Sequence, residues 1–278
     1  MSSKKGIQKS LSRRDFLKGA AVGATAVAGA SVIGACAPRV ATQVPETTLP
    51  ATTEDWLGAE PVVDSVAETV EGDVIVVGGG TAGAYVAASV AEQGLKVIVL
   101  EKNTAVSTVR NDWGAIGSKW QIEGGAKLDK ATILHYHALY CANRIDQRLP
   151  RIWADESAAA INWIGDLIIS KGGMFDWEGG YEPDLTHTST YPKFPTGHSA
   201  FWPSREMTTA KMMQAYIEEL GGEFRFETPF VKFEHEGKKV TAAIAKNKEG
   251  KYVRFVGKKG IVLATGGYQG NPAMLKAL

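Results

Sequence analysis

The stretch DVIVVGGGTAGAYVAASVAEQGLKVIVLEK, residues 73–102, decides the fold. It reads as strand, glycine turn, helix, strand. Val74 to Val77 is an apolar, β-branched run of the kind that is buried on both faces of a parallel sheet. Gly78, Gly80 and Gly83 then make G-x-G-x-x-G. In that pattern the first glycine allows the tight turn and the second lets backbone approach a pyrophosphate. The third lets the helix sit close on the strand. An Ala-rich helix is expected from Thr81 to Gln93, stopped by Gly94. Its N-terminal N–H groups and dipole favour a phosphate, each such interaction being worth about 0.3–1 kcal/mol. Lys96 to Leu100 reads as the second strand, with Glu101 at its end. An acid there accepts hydrogen bonds from a ribose hydroxyl and repels a 2′-phosphate, which disfavours NADP. The motif by itself does not separate FAD from NAD.

Working outward toward the N-terminus, Ser12-Arg13-Arg14-Asp15-Phe16-Leu17-Lys18 is a twin-arginine signature, followed by Ala, Gly and Val from Gly19 to Ala35. That stretch is too weakly apolar to read as a membrane span. The signature predicts export of a folded, cofactor-loaded protein to the periplasm or the outer face of the cell membrane. Cys36 follows Ile33-Gly34-Ala35, and two readings stand for it: lipidation at an imperfect lipobox, or ordinary cleavage near Ala35 or Ala37. A single lipid chain would anchor only marginally. The segment TQVPETTLPATTED, residues 42–55, lacks the apolar surface to order itself, so residues 37–71 read as a flexible tether, with Trp56 and Leu57 able to dock on the domain. The folded domain is expected over residues 72–278.

A net charge of +1 and the lack of any basic block outside the export segment exclude a nucleic-acid partner. There is no C-x-x-C-H haem attachment site and no Cys/His spacing of the zinc type. The second of the two cysteines, Cys141, reads as a small buried residue of a helix. His135 and His137 stand two apart on an expected helix and point to different faces, which does not suit a metal.

Past Lys102 comes a polar, glycine-rich loop that lies over the strand ends, where doubly wound sheets bind ligands. Arg110, Asn111, Ala115, Gly117 and Ser118 are therefore candidate dinucleotide contacts. A helix capped by Asp129 follows. After a break at Pro150, a second runs from Arg151 to Lys171 with a core-facing stripe of Trp153, Ile161, Ile164, Leu167 and Ile168. Met174 to Pro203 reads as a long loop dense in aromatics, either functional or simply well packed. A helix from Arg205 to Leu220 with Ser204 as its cap leads into a meander. Its strands are expected at Glu223–Glu227, Phe230–His235, Val240–Lys246, Tyr252–Val256 and Ile261–Thr265. The last ends in Ala264-Thr265-Gly266-Gly267, glycines that again suit close backbone approach to a ligand.

Taken together, Val74–Gly83, Glu101-Lys102, the meander and Ala264-Thr265-Gly266-Gly267-Tyr268 resemble the FAD-binding domain of the fumarate reductase/succinate dehydrogenase flavoprotein family, most closely its soluble, exported flavocytochrome-like branch. The resemblance runs from Asp73 to Leu278. It implies a Rossmann-like α/β FAD-binding domain, a parallel sheet with helices, plus a β-meander. It also implies FAD rather than NAD. By it, Gly78, Gly80, Thr81, Ala82 and Gly83 hold the pyrophosphate, and Glu101 binds the adenosine ribose with Lys102 beside it. Val231 faces adenine through its backbone, and Ala264, Thr265 and Gly266 lie along the dinucleotide. Members with covalent FAD carry a His in the loop after the Glu-Lys pair. Residues 103–119 contain none, so non-covalent FAD is expected.

In the family, the capping domain with the proton-donating arginine and the substrate clamp follows the Ala-Thr-Gly-Gly segment. The sequence reaches Leu278 before any of it, so the expectation is a capping domain that is absent and catalytic residues that cannot be named. The family's activity is reduction of an α,β-unsaturated acid or related C=C substrate, with electrons from an external donor such as a haem protein or a membrane quinol system. The competing expectations are a non-catalytic, truncated FAD-binding or electron-transfer module and an NAD-dependent dehydrogenase.

Overall fold

The structure, a computed structural model, describes residues 59–106, 109–179 and 192–277. The export segment, Cys36, Trp56 and Leu57, and the loop residues Tyr181, His187 and Tyr191 lie outside the described residues.

The first strand, β1, spans Glu68–Val77, so the ordered chain begins before Asp73. Residues expected in the tether are already held here. The Ala67 amide donates to the Tyr252 carbonyl at 2.8 Å, and Lys232 pairs with Glu60. Helix α1, Thr81–Glu92, crosses from β1 to β2, Val97–Leu100. The two strands pair in parallel, Val74 opposite Val97 and Val77 opposite Leu100. Strand β6, Glu223–Arg225, extends the sheet on the far side of β2, also in parallel. It was expected as the start of the meander. Strand β9, Tyr252–Leu263, lies on the other side of β1, parallel to it along its length. The two strands expected at its position are one, because Gly257-Lys258-Lys259-Gly260 is not a turn. β9 carries one more residue than β1 between the pairs Gly72–Gly257 and Val74–Gly260, which makes a bulge. Bulges bend a strand and raise its twist. Beyond this one, β8 (Lys239–Lys246) and β7 (Phe230–Glu236) continue antiparallel from the first half of β9. The strand order is β6-β2-β1-β9-β8-β7.

That bend explains the core. Val74, Val76, Val97 and Val99 face the helices, meeting Ala84, Ala87, Ala88 and Ala91 of α1 and Met213 and Ile217 of α5, Thr209–Glu219. Ile75, Val77, Ile98 and Leu100 face the opposite way and pack on Ala243, Ala245, Val253 and Phe255 of the meander. The alternation along β1 and β2 is period-2, yet both faces are apolar because both are covered. This gives three layers: meander, parallel sheet, helices.

Strands β3 (Asp112–Gly114), β4 (Met174–Trp177) and β5 (Gly197–Phe201) form a separate antiparallel sheet in the order β3-β5-β4. The described ends of the expected aromatic loop are therefore a packed sheet, with Phe175 and His198 buried. Helix α2, Lys119–Glu123, and helix α3, Lys130–Tyr140, lead to α4, Arg148–Ser170. Pro150 is inside α4 rather than before it. It is the helix's third residue, where no intrahelical partner is needed for its missing N–H. Helix α5 starts four residues later than expected. Thr208, not Ser204, caps it by accepting from the Lys211 amide at 3.2 Å. A short α6, Pro272–Ala277, closes the described chain. Among the described residues no helix is long and apolar enough to cross a membrane, and no three His, Cys, Asp or Glu side chains cluster as metal ligands.

Candidate dinucleotide site

The site is built where β1, β2 and β9 end together. Gly78 leaves β1 with φ +103°, a backbone that L side chains rarely adopt. Its amide donates to the Leu100 carbonyl at 2.8 Å, and the Ala264 amide donates to the Val77 carbonyl at 2.8 Å. The three strand ends are thus stitched side by side. Gly83 shows how closely α1 sits on this turn: a Cβ there would lie 1.8 Å from the Gly78 carbonyl oxygen and 3.3 Å from the Ala264 methyl. The third glycine of the motif is required by that approach.

Gly80 is the N-cap of α1. No side chain caps it, and no acid stands in the first turn. Ala82 is exposed and Thr81 half-buried. The Thr81 hydroxyl accepts from the Arg110 amide at 3.3 Å, which fastens the loop after β2 to this helix start. Thr265 and Gly266 are exposed just past the end of β9, Gly266 with φ +78°.

Glu101 is buried, with 7% of its surface exposed. Its Oε2 accepts from the Gly79 amide at 2.8 Å, inside the glycine turn. Its Oε1 accepts from the Asn103 amide at 2.8 Å and from the Asn103 side chain at 2.7 Å. A carboxylate has about four lone-pair sites, so these three bonds leave room for one more donor. Lys102 is exposed beside an open cleft of about 490 Å³, lined also by Asn103, Thr104, Glu227, Pro229 and Lys246. The Thr228 amide donates to the Glu101 carbonyl at 2.9 Å, which brings the start of β7 alongside. Val231 lies there, at an irregularity in the β7–β8 pairing.

The loop candidates divide. Asn111 is exposed, but its side-chain oxygen accepts from Thr209 at 2.5 Å and its carbonyl from the Ala200 amide at 2.7 Å. Ala115 and Ser118 are fully buried, so neither side chain faces outward. Gly117 between them is exposed, with φ +89°. The Ser118 hydroxyl is 2.6 Å from Nε2 of His198. Burial pushes the His198 imidazole below its ordinary value, against hydrogen bonds to the Thr196 and Trp113 backbone and the carboxylates of Glu178 and Asp176, which pull it up. Sequence reasoning missed Asn103 and Gln121 as site-building residues, and it placed His198 only within the aromatic loop, read as either functional or well packed. Of the two missed, only Gln121 had a signal, since Ser118-x-x-Gln121 is a capping box.

A glycine turn at the carboxyl ends of parallel strands, an uncapped helix start and an acid closing the second strand define a dinucleotide-binding α/β protein. Residues 73–278 match the family described as the FAD binding domain, and the chain belongs to that family of FAD-binding flavoproteins. Its cofactor is FAD, and the glycine turn that no Cβ could share fits it. Residues 10–30 match the twin-arginine translocation signal. Among curated proteins, digoxin reductase of Eggerthella lenta is 26% identical over 283 residues, covering 99% of this chain and 49% of that protein. Vinyl phenol reductase of Lactiplantibacillus plantarum is 23% identical over 214 residues, covering 74% of this chain and 40% of that protein. The chain spans about half the length of these relatives, or less. Among solved structures, the 3-ketosteroid-Δ4-(5α)-dehydrogenase of Rhodococcus jostii RHA1 aligns with a TM-score of 0.60 at 20% identity, over 78% of this chain and 50% of that one. The open conformation of a flavocytochrome c3 fumarate reductase aligns at 0.54 and 22% identity, over 73% of this chain and 35% of that one. At these identities the likeness is one of fold.

Proposed function

We propose that this chain is the FAD-binding part of an exported oxidoreductase that reduces the C=C bond of an α,β-unsaturated acid or related alkene. The observation that carries the reading is the Gly78–Gly83 turn, closed by Glu101 and backed by Ala264, in a chain of the FAD-binding family. The names of its relatives support the substrate class: reductases of digoxin, of vinyl phenol and of fumarate, the last from Schizosaccharomyces pombe.

In this reading the first turn of α1, from Gly80 to Gly83, presents its N–H groups to the pyrophosphate. The free lone pair of Glu101 takes a ribose hydroxyl, while its other bonds hold Gly79 and Asn103 in place. Lys102 and the backbone at Val231 border the adenine along the open cleft. The backbone of Ala115 and Gly117, with Thr265 and Gly266, lies along the rest of the dinucleotide. FAD is held without a covalent bond. When bound, it supplies hydride transfer. The electron donor is external, a haem protein or a membrane quinol system, and the exported protein works in the periplasm or on the outer face of the membrane, with Cys36 available for a lipid.

The test is an anaerobic assay of the exported protein purified from its own cells, with reduced viologen dye and a panel including fumarate, a vinyl phenol and other unsaturated acids. The reading expects two moles of reduced dye oxidised for each mole of saturated product, since the dye gives one electron and the C=C bond takes two. Dye oxidation no faster than with free FAD for every member of the panel contradicts it.

A further inference from the structure

The turn from Ala115 to Ser118 is fastened by buried polar side chains drawn from three separate elements. Gln121 of α2 is 1% exposed and binds the turn three times. Its Oε1 accepts from the Gly117 amide at 2.7 Å and the Ser118 amide at 3.1 Å, and its amide nitrogen donates to the Ala115 carbonyl at 2.9 Å. Ser157 of α4 accepts from the Ile116 amide at 3.1 Å. His198 of β5, fully buried, reaches the Ser118 hydroxyl at 2.6 Å through Nε2, while its Nδ1 stands 3.0 Å from the Thr196 carbonyl. A carbonyl only accepts, so Nδ1 carries the proton, Nε2 is the acceptor, and the Ser118 hydroxyl donates to it. The same hydroxyl oxygen accepts from the Gln121 backbone amide at 3.2 Å, so it both donates and accepts within the frame.

A solvent-facing turn with a fully buried hydrogen-bond frame is costly to build unless each member is satisfied, and a satisfied frame of this kind fixes a single geometry. Apolar packing alone would hold this segment less exactingly. Ala115, Ile116 and Ser118 point inward, and Gly117 at the crest presents only backbone outward. The segment begins at Arg110 on the start of α1 and passes Trp113, whose ring lies 6.4 Å from that of Tyr85 on α1. The turn therefore departs from the cofactor's helix and is braced from behind.

We infer that Ser118, Gln121 and His198 form a positioning frame that fixes the Ala115–Gly117 backbone against the bound flavin dinucleotide, with His198 acting through Ser118. The inference rests on the proposed placement of FAD at this end of the sheet. None of the three is a catalytic residue, since each is buried behind the turn.

Two substitutions at one position separate positioning from mere filling. In His198→Gln the side-chain amide reaches the Nε2 position and restores an acceptor for Ser118. In His198→Asn it reaches only the Nδ1 position, keeps the bond to the Thr196 carbonyl and leaves Ser118 without its acceptor. The full chain is stripped of flavin and titrated with FAD, following the quenching of flavin fluorescence and the visible circular dichroism of the bound flavin. His198→Gln is expected to match the parent. His198→Asn and Ser118→Ala are expected to bind about tenfold more weakly, with altered flavin dichroism and an unchanged far-ultraviolet spectrum. Parent-like affinity and dichroism in either of the last two overturns the inference while leaving FAD at the glycine turn. If His198→Asn does not fold, Ser118→Ala, which removes a single oxygen, decides alone. A parent that binds no FAD overturns the proposed placement and the inference with it.

Discussion

Gly83 and His198 are the residues whose replacement reads the local physics most directly. Any side chain at Gly83 drives a carbon into the Gly78 carbonyl, at 1.8 Å from its oxygen. Because the obstacle is backbone in a turn stitched to β2 and β9, nothing flexible can move away. Gly83→Ala should destabilise the fold by at least about 3 kcal/mol, read as a lowered urea midpoint or loss of soluble protein; a parent-like midpoint would refute the close approach. His198 gives a pH signature. Its folded-state value lies below the ordinary 6.5, so in the folded protein it stays neutral where the unfolded chain takes a proton. Stability is therefore unaffected well above pH 6.5 and falls as pH drops through and below it. The negative charges of Glu178 and Asp176 pull the His198 value up, which moderates the fall without reversing it. The exposed carboxylates of Glu60, Glu71 and Asp146 are held below their ordinary values and lose their contributions only at lower pH. Melting temperature between pH 7.5 and 5 should fall in the parent and fall less in His198→Gln, in which position 198 does not titrate. Equal slopes would show that His198 is not the group.

At the scale of elements, the contrast between Ser204 and Thr208 shows what local sequence can and cannot fix. Both are helix-capping residue types, four apart, ahead of the same apolar stripe. Only Thr208 accepts from the amide three residues on, while Ser204 accepts from Glu206 in the preceding turn. Thr208→Ala should cost about 0.5–2 kcal/mol and Ser204→Ala clearly less, measured by urea unfolding; the reverse order would put the helix start where the sequence suggested. The βαβ unit was readable because glycine pattern, strand length and terminal acid are all local. The meander's ending was not, because Gly257-Lys258-Lys259-Gly260 has the composition of a turn, and only pairing with β1 makes it a bulge in one strand. Pro150 misled for a similar reason: its effect depends on its place in the helix. The Ser118–His198 contact joins residues 80 apart, brought together when Trp113 pairs with His198 across the small sheet, and no spacing rule encodes that.

For the whole molecule, the export segment and the dinucleotide fold make one argument. A route that carries folded proteins suits a domain whose cofactor completes it before transport. Replacing both Arg13 and Arg14 with Lys should leave the protein in the cytoplasm, with flavin bound, when cells are fractionated; unchanged export would break the link between signature and route. The central claim is that FAD sits, without a covalent bond, on the Gly78–Gly83 turn against Glu101. Its most direct test is to precipitate the purified flavin-loaded protein with acid, identify the released flavin, and titrate the stripped protein and its Glu101→Ala variant with FAD. The account predicts that all the flavin appears in the supernatant as FAD and that Glu101→Ala binds it about 1.5–3 kcal/mol more weakly, the range for a hydrogen bond to a charged group. Flavin retained in the pellet, a nicotinamide dinucleotide in its place, or equal affinities for parent and variant would contradict it.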